Sequence, residues 1–353
     1  MSNTKNGSIL PGIMYFYVHF VVEVLSCFFL KSIVGDSFIL WLAPFIYDIL
    51  AFVPQILLGA ISDRCAKIPF GIIGILLLGL GVFLQSLNLT LPIITFVVII
   101  ALGNACVHVN GAEVTLRSSK GKMFPSALFV AGGSFGVVTG KLLAGIAQPW
   151  MLILLAFTTI PVILLAEKYR KQSAALKTPC KDFNFANKSL PLLAIAILAA
   201  LVVAIRGYIG YGIPTTWNKS IPQTIALFGF MGLGKALGGL FVDKLGIRKT
   251  SYISMLGAIP FLIFGDQIMT VSLVGVMFFS MTMAITLAIL VSAFPKNPGF
   301  AFGITTVGLA LGSLPIFFVK IDNIIANSIM IAIASILCLL VLLKISRKEK
   351  QHV

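Results

Sequence analysis

The sequence predicts an all-α membrane protein of about twelve spanning helices in two pseudo-symmetric six-helix bundles, and three observations carry that prediction. Hydrophobic residues make up 59% of the chain and charged residues 10%, with a mean hydropathy of +1.06. Globular domains carry roughly 25% charged residues, so this surface dissolves in a bilayer and not in water. The apolar runs are continuous rather than alternating, which selects helices over a barrel. Finally, the polar string Gly59-Ala-Ile-Ser-Asp63-Arg64-Cys-Ala-Lys67 returns half a chain later as Gly239-Leu-Phe-Val-Asp243-Lys244-Leu-Gly246-Ile-Arg248-Lys249. Each copy closes one apolar run and precedes another, so each sits in a tight turn, and a turn repeated in this way marks a duplicated chain.

In chain order the apolar runs fall near 11–30, 37–61, 68–87, 91–115, 123–145 and 148–166, then 190–213, 221–241, 251–265, 269–293, 299–319 and 324–345. The ninth is short for a bilayer crossing. Between the sixth and seventh lies the one long polar stretch, Glu167 to Lys188, rich in Lys and Arg and holding Pro179. It divides the chain into an N-terminal bundle (1–166), a cytoplasmic linker (167–189) and a C-terminal bundle (190–353). The fifth run carries Gly132, Gly133, Gly136, Gly140 and Gly145, and the eleventh Gly299, Gly303, Gly308 and Gly312. Small residues at this spacing let helix backbones approach closely, either for packing alone or at interfaces that open and close.

The net charge of +15 invites a nucleic-acid partner, and its distribution rejects one. Threaded through twelve spans, the side opposite the termini holds only Lys31, Lys219 and Lys320, and the spans hold Lys141, Arg206 and Lys235. Every other Lys and Arg lies on the side of the termini. That skew is the positive-inside pattern, which puts both termini in the cytoplasm of a multi-pass protein of the cell membrane. The polar start, Met1 to Leu10, leads into a full-length apolar run with no small-residue cleavage site, so the first helix is expected to be a retained span. The five cysteines show no paired spacing and imply neither a disulfide framework nor a zinc site. No P-loop or soluble catalytic motif is present, so neither an enzyme nor an ATP-driven pump is expected, and no cofactor.

The twin turns resemble those of the major facilitator superfamily, whose loops between spans two and three, and eight and nine, carry Gly-x-x-x-Asp-Arg/Lys-x-Gly-x-Arg/Lys. The second copy matches at Gly239, Asp243, Lys244, Gly246, Arg248 and Lys249; the first, with Gly59, Asp63, Arg64 and Lys67, departs at Ala66 and Ile68. The resemblance implies a cytoplasmic gate, in which Asp63 or Asp243 caps a neighbouring helix and pairs with Arg or Lys when the inner side is closed. A plain topology anchor is the alternative. Gly103-Asn104-Ala-Cys-Val-His108-Val-Asn110-Gly111 and the glycine-rich fifth span are similar to the fosmidomycin-resistance branch of drug-efflux carriers. Val109 stands where that branch has Pro, and Gly140-Lys141 where drug/proton antiporters show Gly-Pro.

Ionisable groups inside a membrane cost roughly 2.5 kcal/mol or more each, so each is a functional candidate. In span one Tyr15, His19 and Glu23 recur at four-residue spacing and Ser26 continues the stripe, which places them on one helix face. An imidazole one turn from a carboxylate is a proton-labile pair; a structural hydrogen bond is the alternative. Asp48, with Pro44, Tyr47 and Gln55, lies in span two. Span four carries Asn104, His108, Gly111 and Thr115 on one face, while Glu113 has Arg117 at i+4 as a ready partner. The proton-coupling candidates are therefore His19, Glu23, Asp48 and His108.

The C-terminal half has no mid-span acid but holds Arg206, followed by Tyr208 and Tyr211, and Lys235 at the repeat position of Gln55. Lys235 is expected near the gate, where pairing with Asp243 competes with substrate contact. Tyr15, Asn104, Arg206, Tyr208 and Tyr211 are the substrate-binding candidates; Arg206 either binds an anion, pairs with Glu23 or Asp48, or snorkels to the surface. The expected function is secondary active transport of a small solute by alternating access, coupled to protons, in a monomer. Efflux of a drug or metabolite and uptake of a nutrient or organic anion both fit, and a non-transporting sensor or assembly protein on the same fold is the alternative from another class.

Overall fold

The computed structural model describes residues 9–33, 39–65, 67–87, 92–172, 180, 182–213, 215–318 and 323–347, with side chains except at 33, 39–41, 169–172, 211, 316 and 324. Ala66, Pro214 and the Tyr211 side chain therefore lie outside the described residues. The helices are α1 (Leu10–Ile33), α2 (Ile39–Phe52), α3 (Gln55–Arg64), α4 (Phe70–Ser86), α5 (Ile93–Ser118), α6 (Phe124–Leu143) and α7 (Pro149–Gln172). After the polar stretch come α8 (Leu192–Gly212), α9 (Ile221–Leu245), α10 (Ile247–Phe264), α11 (Met269–Ser280), α12 (Thr282–Ala293), α13 (Pro298–Ser313), a 3-10 turn (Leu314–Phe317) and α14 (Ile324–Ile345). Among the described residues nine helical segments are long and apolar enough to cross a membrane. Phe70–Ser86 and Pro298–Ser313 are apolar but shorter. The chain is an all-helical, multi-pass integral membrane protein.

Two of the expected spans are interrupted and a third is extended; α7 also runs on to Gln172, and the eleventh run ends in the 3-10 turn. The second divides at Val53-Pro54, because Pro54 has no N–H to continue the helix. The break is repaired by side chains: Gln55 Nε2 donates to the Ala51 carbonyl at 2.7 Å, and Thr306 Oγ1 of α13 donates to the Phe52 carbonyl at 3.1 Å. In the tenth, Met281 interrupts the segment between α11 and α12. The ninth is longer than expected because Gly246, at φ +81, reverses the chain within one residue. That left-handed conformation favours glycine, and it brings Arg248 and Lys249 into the first turn of α10.

Glycine seams bring backbones together. A Cβ at Gly132, Gly136 or Gly140 of α6 would run into the carbonyls of Phe16, Phe20 and Val24 of α1. On α13, Gly299 and Gly303 face Gly59 and Ile56 of α3, while Gly308 and Gly312 face Ala200 and Ala204 of α8. Gly145, by contrast, meets nothing.

The polar stretch between α7 and α8 is anchored at its far end. Cys180 N donates to Pro295 O at 2.6 Å, Phe185 N and Ala186 N donate to Ser292 Oγ at 2.8 and 3.0 Å, and Ala186 bridges Ser346. Cys180 is buried against Leu116 of α5, and that burial pushes its thiol up to about 11. Only the thiolate alkylates. In a Cys65→Ser background, maleimide at neutral pH should therefore label Cys180 about two orders of magnitude more slowly than an exposed thiol. Fast labelling of the intact protein, read by mass, would mean that this strap does not hold.

Candidate functional site

The end of the bundle that carries both polar strings is closed by two reciprocal caps. Asp63, in the last turn of α3, accepts from the backbone N–H groups of Gly299 at 3.1 Å and Phe300 at 2.9 Å, the first turn of α13. Asp243, in the last turn of α9, accepts from Met123 N at 2.6 Å and Phe124 N at 3.0 Å, where α6 begins. Neither helix has a local cap: the side chains of Met123 and Asn297 make no capping bond. Each start is thus satisfied by a carboxylate from the other half of the chain, which also complements the helix dipole. Close approach is possible because Gly59 meets Gly299 and Gly239 meets Phe124 and Ala127 without intervening side chains.

The cation beside Asp63 is Arg117 of α5, at 3.1 Å, which also bonds Glu113 at 2.9 Å; Ser62 Oγ donates to the other Glu113 oxygen. Arg64, Lys67, Lys244 and Lys249 of the two strings are exposed, and Arg248 donates to the Leu343 carbonyl at the end of α14 at 3.1 Å. The contacts of Arg117 and Ser62 at this closure were not legible from the motif. Three charges at one depth, Asp63, Glu113 and Arg117, were the available signal.

Next to this closure, α1, α5 and α6 build a buried polar cluster. His19 Nε2 and His108 Nε2 each lie 3.6 Å from Glu23 Oε1, and the two imidazole centroids are 4.3 Å apart. His19 Nδ1 is 2.8 Å from the Phe129 carbonyl and His108 Nδ1 is 3.0 Å from the Asn104 carbonyl. Asn104 Nδ2 donates to Glu23 Oε1 at 3.0 Å, Tyr47 OH at 2.8 Å and Ser26 Oγ at 3.2 Å. The opposite amide orientation would set two oxygens face to face, so Glu23 fixes this one. Phe129 lies against both imidazoles and, at 6.0 Å between centroids, against Phe302 of α13, so these rings stand between the cluster and the C-terminal half.

Not every candidate joins the cluster. Tyr15 is fully buried one turn before His19 and donates to Asn110, which in turn donates to Glu167 at 2.7 Å. Asp48 lies beside Ser313 of α13. Arg206, on α8, has its guanidinium 2.6 Å from Met283 Sδ, and Tyr208 is half-buried on the same helix. Of the two roles expected for Lys235, the pairing with Asp243 is not made: its ammonium crosses to Ser134 Oγ of α6 at 2.8 Å. Ser134 adjoins Gly133, which packs on His19 Nε2, so a C-terminal cation stands close to the N-terminal imidazoles.

No protein-family model matches the chain, and neither does any curated protein sequence. Solved structures do. A major facilitator superfamily transporter, FucP, in the outward conformation superposes with a TM-score of 0.65 at 14% identity, over 96% of this chain and 98% of that one. A structure of the E. coli fucose:proton symporter FucP gives 0.64 at 13%, over 96% and 98%. The human organic anion transporter MFSD10 (TETRAN) gives 0.60 at 13%, over 95% and 97%. Identities this low speak to architecture alone, and with the twin polar strings on α3 and α9 they establish that this chain has the major facilitator fold.

Proposed function

We propose that the chain is a secondary active transporter that moves a small solute by alternating access between its halves, coupled to protons. The reciprocal capping carries this reading. Two carboxylates on borrowed helix starts hold one end closed with few, polar, reversible contacts, and the glycine seams beneath them part without repacking side chains. In this reading the closed end is cytoplasmic, the two halves are 1–166 and 190–353 joined by 167–189, and the protein works as a monomer in the cell membrane. His19, Glu23, His108 and Asp48 take the coupling protons, one step beyond the closure. Asn104, Arg206, Tyr208 and Tyr211 contact the solute, with Tyr15 supporting them through Asn110.

Lys235 and Arg206 give the C-terminal half its cations, which favours a solute carrying negative charge. The likeness to a fucose:proton symporter supports proton coupling, and the likeness to an organic anion transporter supports an anionic solute. The resemblance of spans four and five to fosmidomycin-resistance carriers favours efflux over uptake. Spin labels at Arg64→Cys and Lys296→Cys, both exposed beside the α3–α13 closure, test alternating access directly. Two separations should exchange as pH and solute vary. One fixed separation under all conditions would reject transport in favour of a static sensor or assembly protein.

Arg206 tests the anionic assignment. Arg206→Lys should weaken binding of an anionic solute about tenfold, since an ammonium loses the planar two-pronged contact of guanidinium. Arg206→Gln should remove it, while the protein still inserts in the same orientation. Unchanged affinity in Arg206→Gln, measured on reconstituted protein, would exclude Arg206 from the solute path.

A further inference from the structure

We infer that His19, Glu23 and His108 form a binding site for a divalent transition-metal ion, with the two Nε2 atoms and a Glu23 carboxylate oxygen as ligands. The argument begins with the hydrogens. A carbonyl oxygen only accepts, so Nδ1 of His19, facing Phe129 O, and Nδ1 of His108, facing Asn104 O, must both carry protons. In the neutral rings each Nε2 then presents a lone pair, and both Nε2 atoms lie 3.6 Å from the same Glu23 oxygen. Three acceptors converge, and the nearby Lys235 ammonium is held on Ser134 Oγ rather than among them.

The spacing fits a metal better than a shared proton. At 3.6 Å the two N···O separations are too long for hydrogen bonds. A tetrahedral ion with bonds of about 2.0–2.1 Å sets neighbouring ligand atoms about 3.3 Å apart. The three ligand atoms lie within 4.8 Å of one another, so closing the separations by a few tenths of an ångström to about 1.5 Å seats them on an ion. Each imidazole is already oriented by an Nδ1–H bond to a backbone carbonyl, the arrangement that holds metal-binding histidines. The Asn104 amide orients the carboxylate, and its own Oδ1 is buried with no partner among the described residues. Gly133 leaves His19 Nε2 clear, since a Cβ there would fall on it.

Two imidazoles and one carboxylate suit Zn²⁺ and its first-row neighbours rather than Ca²⁺ or Mg²⁺, which prefer oxygen alone. Three protein ligands leave at least one coordination position open for water or a solute group. As to the ion's role, the inference rests on the transport reading: the ion occupies the same side chains as the coupling protons, so the two exclude each other, while the anionic solute keeps Arg206 as its contact.

The test uses Co²⁺ as probe with the full-length, tag-free protein in detergent. One equivalent should produce the visible d–d bands of a low-symmetry nitrogen–oxygen site, bleached by Zn²⁺. Glu23→Gln, His19→Ala and His108→Ala should each weaken binding at least about tenfold, as should Gly133→Ala, which removes no ligand. His352→Ala and Cys65→Ser should leave the bands unchanged. Absence of bands in monodisperse wild-type protein, or bands that survive in the Glu23→Gln/His108→Ala double variant, would overturn the site. Solute accumulation driven by a pH gradient in proteoliposomes then separates the two readings: cobalt binding that leaves accumulation unchanged rejects competition with the coupling protons and leaves the site standing, whereas failure of binding leaves the transport reading intact.

Discussion

Asp63→Ala combined with Asp243→Ala is expected to open the closed end. Each carboxylate satisfies two backbone N–H groups of a helix that has no cap of its own. Loss of a helix cap costs roughly 0.5–2 kcal/mol, and Asp63 also gives up its own contact to the Arg117 guanidinium, which Glu113 still neutralises. The pair should therefore shift the balance by about 2–4 kcal/mol, which moves the ratio of closed to open molecules by roughly 30- to 1,000-fold. Labels at Arg64→Cys and Lys296→Cys should report a gain in separation of about one helix diameter, ~10 Å. Asp→Asn at both sites should fall between, because an amide keeps one acceptor oxygen. Cys180 should label faster in the same variants, since its thiol is sealed by Leu116 of α5 on one side and tied through Pro295 on the other. A separation that does not change in the alanine pair would assign the closure to the glycine seams alone.

The fold was largely legible because its two causes are written as patterns. Continuous apolar runs give spanning helices, and the repeated polar string marks the turns that close α3 and α9. What was not legible depends on backbone atoms and on neighbours. Pro54 lay inside a run that hydropathy treats as unbroken, and the broken segment persists because Gln55 and Thr306 take the freed carbonyls. The donors facing Asp63 and Asp243 are backbone N–H groups, which carry no sequence signal; Asn297 even looks like a cap and makes no such bond. In the candidate site, the four-residue spacing of His19 and Glu23 was readable from one helix. That His108 completes the cluster was not, since it requires α5 to lie beside α1. The motif's own cations were misleading for the same reason, because the guanidinium that reaches Asp63 comes from α5 rather than from the string.

Glu23→Gln is expected to abolish solute accumulation driven by an imposed pH gradient while leaving the protein folded. The side chain is 14% exposed and central to the cluster: two imidazoles and the Asn104 amide converge on one of its oxygens. The amide is isosteric, so packing against His19, His108 and Asn104 is retained, whereas the capacity to exchange a proton is lost. Gradient-driven accumulation should fall at least about 100-fold, the upper end of what one essential proton-transfer group commonly contributes being nearer 10⁴. Counterflow, in which solute exchanges for solute with no net proton movement, should persist at a substantial fraction of the wild-type rate. Asp48→Asn, next to Ser313 rather than to an imidazole, should reduce accumulation less, because Glu23 and its two histidines remain. Loss of counterflow together with accumulation would move Glu23 from coupling to solute binding. Full accumulation in Glu23→Gln would remove the cluster from proton coupling altogether, and leave the convergence of His19, Glu23 and His108 to be explained by a bound ion alone.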